Sequence, residues 1–260
     1  MLRRLSLTLL AALVLAVAPG DAAAQGRGQA GGAPPQSGRA AAPRDLTGTW
    51  VSVVTEHWHL RMLVPPRGDF SMLPLNQEAR RIANEWDAEQ PPTGDDQCKP
   101  YGAAAIMRVP GRLNIHWADD NTLQMDIDSG TQTRMFHFNG AVPAGQDLEW
   151  QGYSVASWEA LAVPTGRGRR ALNSTQLKVT TTHMRPGFLR RNGIPYSESA
   201  VLEEWYDRFT EPNGDEWLVV TLIVTDPEFL TGPYVTSNHF RKIPDLSGWD
   251  PTPCQPNEAR

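Results

Sequence analysis

The sequence predicts one mainly β domain, folded as an antiparallel lipocalin-like β-barrel or, as the alternative, a β-sandwich. Three observations carry that expectation. Runs in which apolar and polar residues alternate follow one another from Arg112 to Lys242. Short turns rich in Gly, Pro, Asn and Asp separate them. A single amphipathic stretch, one short helix near residues 76–86, interrupts the pattern. The barrel is preferred because closure leaves fewer unpaired strand edges.

The first element is a targeting segment. Met1-Leu2-Arg3-Arg4, the apolar run from Leu7 to Val17 and Ala22-Ala23-Ala24 have the three-part form of a secretory signal peptide covering residues 1–24. The mature chain is therefore expected in the periplasm or the medium. The run falls short of the roughly 20 apolar residues that span a bilayer, so no membrane span is expected in the mature protein. Residues 25–44 carry almost no large apolar side chain and are expected to form a flexible linker. That leaves residues 45–260 as a single domain.

Within it, residues 51–64 read as a strand whose alternation places Trp50, Ser52, Val54, Glu56, Trp58, Leu60 and Met62 on the inward face. Pro65-Pro66-Arg67-Gly68-Asp69 is a turn, and Asn76 is the expected N-cap of a helix with Leu75, Ala79, Ile82, Ala83 and Trp86 on one side. Strands are then expected over 106–109, 112–117, 122–128, 131–138, 150–161, 176–184, 200–210, 216–225 and 234–242. Glu203 and Glu204 must face opposite sides of their strand, and Glu204 shares a face with Arg208 as a candidate partner.

The two cysteines, Cys98 and Cys254, lack C-x-x-C spacing, and in an oxidising compartment such a pair is expected to be a disulfide. On a chain-entropy estimate so long a loop is worth about 5 kcal/mol. The net charge is −5, with 24 basic against 29 acidic residues. The basic pairs Arg80-Arg81, Arg169-Arg170 and Arg190-Arg191 stand isolated, which argues against a nucleic-acid partner.

Two resemblances follow from particular motifs. Gly48-Thr49-Trp50 is similar to the G-x-W that opens the first strand of lipocalin-like barrels, where the Trp plugs the closed end. A broader set covers most of the chain after residue 45. It includes Gly68-Asp69-Phe70, Cys98-Lys99-Pro100-Tyr101-Gly102, Arg108-Val109-Pro110-Gly111, Trp150-Gln151-Gly152-Tyr153, Asn192-Gly193-Ile194-Pro195-Tyr196 and Asp226-Pro227-Glu228-Phe229. In these the chain resembles an uncharacterised family of exported bacterial β-rich proteins. The resemblance implies architecture and compartment, and no reaction.

Candidate chemistry is sparse. His57-Trp58-His59 has an H-x-H spacing, but no third ligand is evident and no metal is expected. There is no G-x-S-x-G elbow and no phosphate loop, so no cofactor is expected. Glu56 among tryptophans would have a raised pKa, suited to a general acid or base. His183 ends a strand at a cavity mouth, and Tyr196 lies on a Gly- and Pro-shaped loop. Trp58, Trp117, Trp158 and Trp205, with Arg185 and His239, are the candidate ligand contacts. A barrel lined by such residues suits a small hydrophobic or aromatic molecule. The expectation is an exported binding protein for such a ligand. The alternative is a cofactor-independent enzyme of isomerase, hydratase or lyase type, using Glu56, His183 and Tyr196. A third reading is an interaction protein that uses its outer face and leaves the barrel filled by side chains.

Overall fold

A computed structural model describes residues 36–165 and 168–256. The expected signal peptide and residues 25–35 lie outside the described residues. Nine strands close into a barrel in the order β1 (Gly48–Val53), β11 (Tyr234–Ile243), β10 (Glu216–Thr225), β9 (Val201–Thr210), β6 (Gly168–Thr182), β5 (Tyr153–Thr165), β4 (Gln132–Phe138), β3 (Thr122–Ile127) and β2 (Arg112–Trp117). The two remaining strands, β7 (Gly187–Arg190) and β8 (Ile194–Tyr196), form a separate hairpin. The sandwich alternative is thereby replaced by a closed barrel.

The barrel is mixed, which corrects the all-antiparallel expectation. In a closed antiparallel ring strand direction must alternate back to its start, so the strand number must be even. With nine strands one neighbouring pair runs parallel, and that pair is β4 with β5, in register Phe136 to Ser154 and Phe138 to Ala156. Residues 139–152 supply the crossover that a parallel pair requires.

The first strand is shorter than alternation suggested. β1 ends at Val53, and His57, at φ 48°, opens a one-turn helix, α1 (Trp58–Arg61). Positive φ is costly for a residue with a Cβ and does not occur within a strand, so the 2-residue period stops before Glu56. Glu56 and Trp58 therefore do not share the inward face of Trp50. Helix α2 (Gln77–Glu85) forms where expected, with the Asn76 side chain accepting from the Ala79 amide at 2.9 Å. It has company: a 3-10 turn over Gly94–Tyr101 and a second one-turn helix, α3 (Ala103–Ile106), stand where a loop and the start of a strand were expected.

Inward positions fill the middle of the barrel. Trp50, Met125, Phe136, Leu177, Val220 and Leu222 have no surface that water can touch. Such close packing leaves no space beside them for a ligand. One end is covered by residues 36–47, where the Trp158 indole donates to the Gly38 carbonyl at 2.9 Å and Arg44 pairs with Asp207 at 2.9 Å. Ordered contacts thus start before Asp45. At the other end sit α1 to α3, the 3-10 turn and the β7–β8 hairpin. Gly193 turns that hairpin at φ 79°, and a Cβ there would lie 2.4 Å from the Trp86 Cβ. Cys98 and Cys254 form the expected disulfide, fastening the 3-10 turn to the C-terminal tail. Tyr101 reinforces the junction, since its hydroxyl donates to the Gln255 carbonyl and accepts from the Gln255 amide.

Candidate functional site: an arginine-lined cleft

Four arginines converge at this plugged end. Arg61 is the last residue of α1, Arg108 lies two residues beyond α3, Arg190 ends β7 and Arg191 follows it. They line one cleft with Leu60, Pro100, Ala105, Val109 and Leu189 as apolar walls. Their exposures are 2%, 6%, 4% and 6%, so all four guanidiniums have left most of their water behind. The free space between them is about 20 Å³. That admits one or two atoms of the size of a water oxygen.

Local contacts hold each arginine in place. Arg61 donates through Nε to the Arg108 carbonyl at 3.2 Å and through Nη1 to Glu56 at 2.8 Å. Arg108 Nη1 donates to the Thr236 hydroxyl at 2.7 Å, which anchors the loop to the barrel. Arg190 Nη2 donates to the Ser71 carbonyl at 2.6 Å. Arg191 stacks over the Tyr101 ring with its Cζ 5.7 Å from the centroid. Asn192, next in sequence, donates to the Pro66 and Asp69 carbonyls and draws the 65–72 loop against β7.

Two of the four arginines, Arg61 and Arg190, keep donors without an acceptor. Glu56 pairs with Arg61, while the Asp69 carboxylate and the Tyr234 phenol lie near Arg190. Arg61 Nη2 and Arg190 Nε and Nη1 are buried without a hydrogen-bond partner. Burial pulls the Arg61 guanidinium below its ordinary value; Glu56 opposes this, and Arg108 adds to it by repulsion. Burial likewise lowers Arg190, with Tyr234 opposing and Arg108 adding. Unpartnered buried cationic donors are expensive, and such groups concentrate where a charged ligand completes the site. An oxyanion is the natural complement, because guanidinium forks match its paired oxygens.

Of the residues expected from sequence, the structure brings Glu56 and His239 together beside Arg61. Glu56 Oε2 lies 2.5 Å from the Thr55 hydroxyl and 3.5 Å from His239 Nδ1, which is itself 3.0 Å from that hydroxyl. Burial alone would raise the Glu56 carboxyl, yet Thr55, Arg61 and His239 hold it below the usual carboxylate range. His183 is elsewhere, in a surface cleft with Leu148 and residues 198–201, its Nδ1 2.9 Å from the Thr182 hydroxyl. Tyr196 is not on the surface: it is 1% exposed, its hydroxyl lies unpartnered beneath Gly102 and Gly187, and burial raises its pKa.

The aromatic candidates are dispersed. Trp117 and Trp158 flank Phe138 at the opposite end of the barrel, with centroids 5.4 and 5.5 Å from it. Trp205 faces outward under Lys178 and donates to Glu159. Arg185 stacks on Trp150 at 4.2 Å and pairs with Asp95. Trp58 is 60% exposed. His57 and His59 belong to the α1 turn rather than a strand, and no group of three or more potential ligands gathers for a metal among the described residues. The four cleft arginines come from three separate segments. The only local hint was Arg190-Arg191, a basic pair set between Leu189 and Ile194.

No protein-family model, curated protein or solved structure matches this chain. The site therefore rests on its own geometry.

Proposed function

We propose that this is an exported binding protein that takes a small molecule by its anionic group, one or two of whose oxygens enter the cleft of Arg61, Arg108, Arg190 and Arg191. The observation that carries the reading is the set of buried guanidinium N–H groups, on Arg61 and Arg190, that have no acceptor. An oxyanion entering the cleft would accept from them and relieve the mutual repulsion of the cations. The hydrophobic or aromatic molecule expected from the tryptophan content then binds outside the lumen, whose centre is packed. The disulfide supports export, since such bonds persist in oxidising compartments. Among the described residues no helix is long and apolar enough to cross a membrane.

Binding is preferred to acid–base catalysis because Glu56 is held ionised by its partners. A carboxylate stabilised in that way is a weak base and no proton donor near neutral pH. The test is thermal denaturation in sulfate or phosphate against chloride at matched ionic strength. At tenfold Kd a single site adds about 1.4 kcal/mol, which raises Tm by about 3 °C in a domain of this size. Arg61→Gln and Arg190→Gln should lose that rise. Equal responses to all three salts, unchanged in the variants, would defeat the proposal.

A further inference from the structure

Exposed apolar side chains, here termed the lip, flank the cleft arginines along the chain. Eight large apolar side chains are exposed among the described residues, and four of them, Trp58, Met62, Leu63 and Met72, fall in the segment 58–72. Their exposures are 60%, 38%, 44% and 58%. Each is tied to the arginine cleft through the chain. Trp58 begins the helical turn that Arg61 ends, and Met62 and Leu63 follow Arg61 directly. Met72 follows Ser71, whose carbonyl accepts from Arg190. Met72 also holds φ at 65°, a conformation that an L side chain adopts at a cost.

Exposed apolar groups that follow Arg61 in the chain and adjoin the Ser71 partner of Arg190, together with the N–H groups that Arg61 and Arg190 keep without an acceptor, supply the two parts of a recognition surface. We propose that the ligand is a single-chain anionic amphiphile, with one or two oxygens of its carboxylate, sulfate or phosphate head entering the arginine cleft and its apolar chain across Trp58, Met62, Leu63 and Met72. This rests on the anion-binding reading above. The cleft is too small for a ring or a chain, so the apolar part must remain at the lip. A free molecule fits better than a membrane surface. Membrane-binding basic patches present exposed charge to many head groups, whereas these arginines are at most 6% exposed and the chain carries net charge −5.

The test is calorimetry of phosphate, acetate, hexanoate and decanoate, kept below micelle formation, with the intact protein. Affinity should rise by about two- to fourfold per added methylene as the chain covers the lip. Trp58→Ala/Met62→Ser/Leu63→Ser/Met72→Ser alters only exposed side chains; it should flatten that dependence and leave phosphate binding as it was. Arg190→Gln should weaken every probe. Phosphate binding with no chain-length dependence in the wild type, or a dependence that survives in the lip variant, overturns the amphiphile and leaves the anion site standing. Failure of every anion overturns the underlying reading itself. Binding to phosphatidylglycerol vesicles without binding to monomeric decanoate overturns it in favour of a membrane surface.

Discussion

Two sets of buried arginines sit in this domain, and they are built on opposite principles. Arg134, inside the barrel, has no exposed surface, and neither has Glu204, which receives Nη1 at 2.8 Å and Nη2 at 2.6 Å. The Thr181 hydroxyl accepts from Nη2 at 3.2 Å, Tyr206 lies 3.4 Å from Nη1, and the Phe136 ring lies 5.0 Å from the Arg134 Cζ. Glu204 therefore partners Arg134, not Arg208, which pairs with Glu216. Burial works against the charge on Arg134, and Glu204 more than restores it, so its pKa is raised. At the plugged end the order is reversed: burial outweighs the carboxylates beside Arg61 and Arg190, Glu56 and Asp69, and both guanidiniums have lowered pKa values. Burial of an arginine therefore does not mark a ligand site. What separates the two sets is how far a carboxylate offsets burial: Glu204 overcomes it at Arg134, although Arg134 Nε also lacks an acceptor, whereas Glu56 does not overcome it at Arg61.

The largest effect should come from breaking the matched pair. Glu204→Gln leaves Arg134 buried and uncompensated, and should cost about 3–5 kcal/mol in urea denaturation. Arg134→Met/Glu204→Leu, which removes both charges, should recover most of that loss. A cost below about 1 kcal/mol for Glu204→Gln would place Arg134 in the same class as the cleft arginines. Arg190→Gln should do the reverse. It loses the bond to Ser71 but relieves repulsion from Arg108, so stability should stay within about 1 kcal/mol of wild type. A loss above about 3 kcal/mol would mean that Arg190 is structural, as Arg134 is.

The smallest effect concerns pH. Burial, reinforced by Glu204 and opposed by Arg134, raises the Tyr206 phenol well above its ordinary value, and burial raises Tyr196. A phenol raised in the folded state contributes stability that is fully present below the unfolded pKa of about 10 and is lost as pH rises beyond it. Tm should therefore fall as pH passes about 10. Tyr206→Phe should make that fall shallower, and an identical profile in the variant would detach the core network from the alkaline response.

Much of the barrel could be read from alternation. Residues 112–117 and 216–225 are strands with the expected bounds, because side chains there meet the core on one face only. The pairing of Cys98 with Cys254 was legible from their number and compartment. Alternation misled at residues 54–64, where His57 turns the chain into α1 and a periodic pattern gives no sign of it. The parallel contact of β4 with β5 was equally invisible, since it depends on how many strands close the ring.

The arginine cleft belongs wholly to tertiary structure. Arg61, Arg108 and Arg190 are far apart in sequence and stand in segments of unrelated pattern, so no spacing rule connects them. By itself the sequence determined a disulfide-closed β domain and most of its strand positions, because alternation and turn chemistry are local properties of the chain. Only the fold decided which cations would lose water together and which would find a carboxylate, because desolvation and charge pairing depend on neighbours that the chain brings together by closing the barrel.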